Sequence, residues 1–212
     1  MDLRDGTLFL IILVSSLCIH EWAHAWTAWK LGDDTAHAQG RVTLNPLPHI
    51  DLLGTIIFPV LCIFLLDGRF LFGWARPVPV NVNRFKHPRS DDALTTFAGP
   101  FSNLLLAIGV AMLGGLLTRY HPVFAELTFK TILVNITLFV FNLLPVPPLD
   151  GGRLLRVAVG MTWETFAQIS RWSMLALIVA LNVFPAFAAT LGALMGMLAR
   201  PLLHLAALAA GL

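Results

Sequence analysis

The segment His20-Glu21-Trp22-Ala23-His24 lies inside an apolar run from Leu8 to Trp29, and no other stretch restricts the chain as strongly. A run of this length can cross a bilayer only as a helix, because lipid offers no partner to an unpaired backbone group. On a helix, histidines four residues apart lie about 40° apart around the axis and about 6 Å apart along it. Both imidazoles can therefore meet one metal ion. Glu21 is turned about 100° from His20, near enough to the same face to act as a base beside that metal. In a soluble helix such a spacing arises by chance. Within a membrane-length segment three ionisable side chains are costly, and they mark a functional site.

Composition agrees with a membrane setting. Of 212 residues, 57% are hydrophobic and 12% charged, with a mean hydropathy of +0.78, whereas a soluble domain carries about a quarter of its residues charged. The length leaves room for four to six spanning segments with short loops, and for no separate soluble domain. A net charge of +2, spread over scattered arginines without interleaved exposed aromatics, excludes nucleic acid as a partner. Cys18 and Cys62 both fall in apolar runs, as small buried hydrophobes rather than a disulfide. Two cysteines cannot build a cysteine zinc cage. His20 and Glu21 interrupt any would-be signal peptide, and Asp2 and Asp5 flank its start, so the first helix is read as uncleaved.

Taken in order, the chain predicts a first membrane helix over 7–30, with Trp22, Trp26, Trp29 and Lys30 as interface anchors. Residues 31–54 are polar and rich in turn formers, and within them 40–45 alternates like a short strand of a β-hairpin. Such a strand could offer an edge to an extended peptide, or simply connect. Residues 52–66 are too short for a full crossing and suggest a re-entrant element. The loop 67–92 is the most basic, with Arg69, Arg76, Arg84, Lys86 and Arg89, and its prolines at 77, 79 and 88 exclude a long helix. Spans follow over 93–117 and 127–144, then two more apolar segments over 166–184 and 186–210. The expected fold is all-α and polytopic, with five to six transmembrane or re-entrant helices in one membrane domain. Its core is about 7–155, with additional C-terminal helices over 160–212. If 52–66 does not cross, nine cations lie on the metal-proximal side and three on the other, which puts that side in the cytoplasm.

A catalytic zinc usually takes three protein ligands and keeps one position open. His37, His49 and His87 fall in loops read as solvated, His121 at an outer turn and His204 far along the last segment. Glu126 and Glu164 sit at segment ends. Asp150 is the better candidate. It closes a membrane helix after Pro145, Pro147 and Pro148 and precedes Gly151-Gly152. Irregular backbone at membrane depth is tolerated where it is buried or lines a wet cavity. A helix-terminating aspartate at the interface is the plainer alternative. Asn142 and Asn103 could hydrogen-bond a substrate or serve as interhelical glue, and for Asn103 glue is the preferred reading.

Three separated motifs agree at this point: His20-to-His24 (HEWAH), Gly99-to-Asn103 (GPFSN) and Asn142-to-Gly151 (NLLPVPPLDG). Together they resemble the site-2 protease family of intramembrane zinc metalloproteases. Gly40-to-Asp51 (GRVTLNPLPHID) and Gly73-to-Asn81 (GWARPVPVN) look like its short bacterial and archaeal branch, without a PDZ or CBS domain. The resemblance covers about residues 7–155. It implies one zinc ion per chain held by His20, His24 and Asp150, with Glu21 as the catalytic carboxylate and Asn142 handling substrate. It also implies a membrane-protein substrate cut within or near a transmembrane helix, in the plasma membrane of a prokaryote. A membrane metal transporter or metal-sensing protein is the rival reading. It would call for several sites along a pathway, and it gives Glu21 no role.

Overall fold

The computed structural model describes residues 3–65 and 73–212. Asp2, residue 66 of the short apolar segment and Arg69 of the basic loop lie outside the described residues. The chain forms two compact units, Met1–Ser102 and Asn103–Leu212. The described residues are mainly helical and contain no strand.

In the first unit, α1 (Leu3–Lys30) is a single 28-residue helix. It ends where Lys30 gives way to Gly32, whose φ of 110° no β-carbon-bearing residue adopts readily. A short helix α2 (Thr35–Ala38) follows, then a 3-10 turn at Leu47–His49. A π-helical turn, Leu52–Ile57, runs into α3 (Phe58–Leu65). Within the described residues this pair is shorter than the five long apolar helices. Gly6 of α1 lets α3 close in, since a β-carbon there would lie 2.7 Å from Ile63 Cγ2.

Helix α4 (Pro88–Thr118) begins five residues earlier than the sequence pattern indicates. Proline at the first helical position gives up an N–H that would have no intrahelical partner anyway. The Asp91 carboxylate reaches back to accept the His87 N–H at 2.9 Å. The unit boundary falls within α4.

The second unit holds α5 (Val123–Asn142), α6 (Asp150–Val159), α7 (Trp163–Val183) and α8 (Pro185–Ala210). Its core gathers Ala107 and Ala111 of α4, Ile132, Ile136 and Val140 of α5, and Leu191 of α8. Small residues set the helix spacing. A β-carbon at Gly114 would lie 2.0 Å from Thr128 Oγ1, and one at Gly115 would lie 2.4 Å from the Ala206 carbonyl. Such close approach favours association in lipid, where apolar burial alone gives little. Helices α1, α4, α5, α7 and α8 are long and apolar enough to cross a membrane, and they match the expected spans.

Three expectations are corrected. Residues 40–45 are a chain of bends rather than a strand. Gly40 has φ +65°, and the Thr43 and Leu44 carbonyls are taken by His49 Nε2 (2.9 Å) and Cys18 Sγ (3.3 Å). The Asn45 and Leu47 N–H groups close onto Thr43 Oγ1 and Asn45 Oδ1, 3.1 Å each. His49 is buried, not solvated. Asp150 opens a new helix instead of ending one. The intervening residues 143–149 carry the three prolines, whose missing donors and restricted neighbours keep them out of either helix.

Candidate metal centre

Helix α1 buries the face that carries His20, Glu21 and His24, as the four-residue spacing requires. The two imidazole Nε2 atoms lie 3.1 Å apart, with the rings edge to face at a centroid distance of 4.7 Å. An ion bonded to both nitrogens at about 2.0–2.1 Å needs them within about twice that distance, and they are. His24 Nδ1–H donates to the Thr95 carbonyl at 2.7 Å. That bond assigns the proton to Nδ1 and leaves the Nε2 lone pair for a metal, the arrangement by which outer partners orient ligating histidines.

Gly99 completes this pocket in the first unit. A β-carbon there would sit 2.2 Å from His24 Nε2 and 2.7 Å from His20 Nε2. Helix α4 can approach the two Nε2 atoms only because residue 99 has no side chain. Two ring nitrogens 3.1 Å apart, in a cradle that a methyl group would fill, fit a bound metal ion.

Glu21 is buried beside the histidines, and its Oε2 accepts the Val78 N–H at 3.0 Å. Val78 belongs to the proline-containing segment after residue 73. Neither Thr95 nor Val78 stands out in the sequence, because both act through backbone atoms. Gly99 had a signal in its motif, and only the fold reveals its closeness to the ring nitrogens.

In the second unit, Asp150 is half-buried at the first position of α6. Its two following glycines are required by packing. A β-carbon at Gly151 would lie 2.3 Å from the carbonyl oxygens of Leu143 and Leu144, and one at Gly152 would lie 2.4 Å from Pro147 N. The proline segment therefore folds directly over the start of α6, and Ser173 Oγ of α7 donates to the Pro147 carbonyl. Asn103 is fully buried, and its amide donates to Asn135 Oδ1 at 2.9 Å. Asn142 donates to the Leu138 carbonyl of its own helix at 3.0 Å.

The sequence model of peptidase family M50 matches residues 119–183, a stretch that includes Asn142 and Asp150. YwhC of Bacillus subtilis (strain 168), a zinc metalloprotease by provisional assignment, is 45% identical over 158 residues, which cover 69% of this chain and 66% of YwhC. Rip2 of Mycolicibacterium smegmatis, named in the same provisional terms, is 34% identical over 189 residues, 85% of this chain and 69% of Rip2. Stage IV sporulation protein FB of Bacillus subtilis is 30% identical over 141 residues, 66% of this chain and 46% of that protein. The chain thus spans about two thirds of the first two relatives and about half of the third. No solved structure matches it significantly.

Proposed function

Since the chain belongs to peptidase family M50, the site-2 protease family of zinc metalloproteases, we propose that it hydrolyses peptide bonds within or near transmembrane helices of membrane proteins. The observation that carries this reading is the His20–His24 pair, its nitrogens 3.1 Å apart, with Glu21 buried next to it. Nothing in the comparisons favours metal transport.

His20, His24 and Asp150 are the proposed ligands of one zinc ion per chain, two neutral imidazoles and a carboxylate, a donor set that a catalytic zinc takes. When bound, zinc would supply Lewis acidity toward water and the scissile carbonyl. Glu21 would take the proton from the attacking water and deliver it to the leaving amide nitrogen. The Val78 N–H holds one carboxylate oxygen, which directs the other toward that proton. Asn142 is proposed to contact the substrate backbone. Asn103, bonded to Asn135, serves helix packing better than substrate.

The basic residues after α1 support a site nearer the cytoplasmic face of a prokaryotic plasma membrane. The whole chain is read as one membrane domain, with a catalytic core over about 7–155 and additional helices over 160–212. A transmembrane substrate hides its carbonyls in its own hydrogen bonds and must unwind locally before attack. The test is incubation of the purified protein, and of Glu21→Gln, with a panel of single-span membrane peptides in detergent. Cleavage by the parent protein alone, abolished by a zinc chelator and restored by added zinc, is the expected result. Equal cleavage by both proteins would overturn the reading.

A further inference from the structure

Arg41 lies in the polar stretch between α2 and the 3-10 turn, yet it is only 5% exposed. Its Nη2 donates to the Arg76 carbonyl at 2.6 Å and approaches that of Pro77 at 3.4 Å. The next residue is Val78, whose N–H holds Glu21. Residues 74–81 have no regular secondary structure, so their course depends on what grips them. Trp74 N–H donates to the Gly54 carbonyl at 3.1 Å, and Arg76 N–H to that of His49 at 2.8 Å. At the far end, Asn81 N–H donates to Asp33 Oδ2 at 2.6 Å. Pro77 and Pro79 have no N–H to give. Among the described residues, what holds the segment between Arg76 and Asn81 is the Val78 N–H bond to Glu21 and the two carbonyls that face Arg41. Burial pushes the Arg41 guanidinium down from its ordinary value, the Glu21 charge opposes that push, and Arg76 adds to it. An arginine starts so high that it stays charged.

We propose that Arg41 is a positioning residue for Glu21: by gripping the Arg76 and Pro77 carbonyls it fixes the Val78 N–H on which the Glu21 carboxylate rests, and so aims the base. Both contacts come from Nη2, one corner of a rigid, planar guanidinium, and lysine, a point charge on a shorter, flexible stem, does not hold a donor in that place. The activity part of this proposal rests on the peptidase reading above; the structural part does not.

The experiment compares the parent protein with Arg41→Lys, Arg41→Gln and Arg41→Ala in detergent. Turnover of a single-span peptide, zinc content and amide exchange over 74–81 are measured for each. For Arg41→Gln, kcat should fall roughly 10–100-fold, the usual range for losing an outer partner of a catalytic site. KM should change less than about threefold, zinc content should hold, and exchange should rise at Val78. Arg41→Lys should behave like Arg41→Gln, and added methylguanidinium should restore Arg41→Ala in both turnover and exchange. A kcat within twofold of the parent, zinc lost in step with activity, or unchanged exchange at Val78 would each overturn the proposal. A parent protein that cuts no peptide would sink the peptidase reading, while exchange at Val78 would still decide for or against the grip.

Discussion

Glu21 already accepts a hydrogen bond from the Val78 amide, so replacing its carboxylate by an amide of the same shape removes basicity with little change in packing. Glu21→Gln should keep its zinc, measured by elemental analysis, and lose activity by roughly 10²–10⁴-fold, the usual contribution of a general base. Gly99 makes a sharper case. Inside a helix, glycine to alanine is normally stabilising by about 1 kcal/mol. Here the new methyl group would fall 2.2 Å from His24 Nε2. Gly99→Ala should therefore lower zinc content and activity together while the helical circular-dichroism signal is kept; full zinc occupancy would show that α4 can retreat. Asp150→Ala should also reduce zinc content, and an unchanged content would remove Asp150 from the ligand set.

At the scale of elements, the contact between α4 and α5 separates glue from substrate binding. Asn103 and Asn135 are both fully buried and bonded to each other. Asn103→Leu leaves Asn135 Oδ1 without that donor, which costs about 1–3 kcal/mol in a buried setting and nearer 0.6 kcal/mol on average between membrane helices. The predicted outcome is a lower thermal midpoint in detergent with KM for a peptide substrate unchanged. A raised KM at unchanged stability would instead make Asn103 a substrate contact. The helices themselves were legible, because a run of about twenty apolar residues admits little else in lipid. Their ends were less so. Pro88 excludes a helix interior yet starts a helix in the fold, and Gly151-Gly152 carries no helical signal although α6 runs through it. That local cost is accepted because the Leu143, Leu144 and Pro147 backbone packs where a β-carbon would sit.

For the molecule as a whole, the proposed cleavage of membrane helices would make substrate choice follow from the need to expose a helical backbone. Peptides with Gly, Pro or Asn near the cleavage point should be cut faster than a poly-Leu span with the same flanks, as followed by mass spectrometry of the products. Equal rates would mean that unwinding does not limit cleavage. Residues 40–45, folded into bends with their Thr43 and Leu44 carbonyls engaged, do not supply a ready strand edge for the unwound peptide.

The order of the residues alone determined that the chain lives in a membrane, that α1 turns two histidines and a glutamate to one face, and that Asp150 sits in unusual backbone. Each of these is local: hydropathy, a four-residue period, and the stereochemistry of proline and glycine. The fold decided which atoms serve those groups. The Thr95 carbonyl sets the His24 tautomer, Gly99 leaves room at both ring nitrogens, and Val78 N–H steadies Glu21 beside a buried Arg41. These partners are backbone atoms, a missing side chain and one cation of a polar loop, so residue type carries no trace of them. They come together only when segments tens of residues apart are brought into contact.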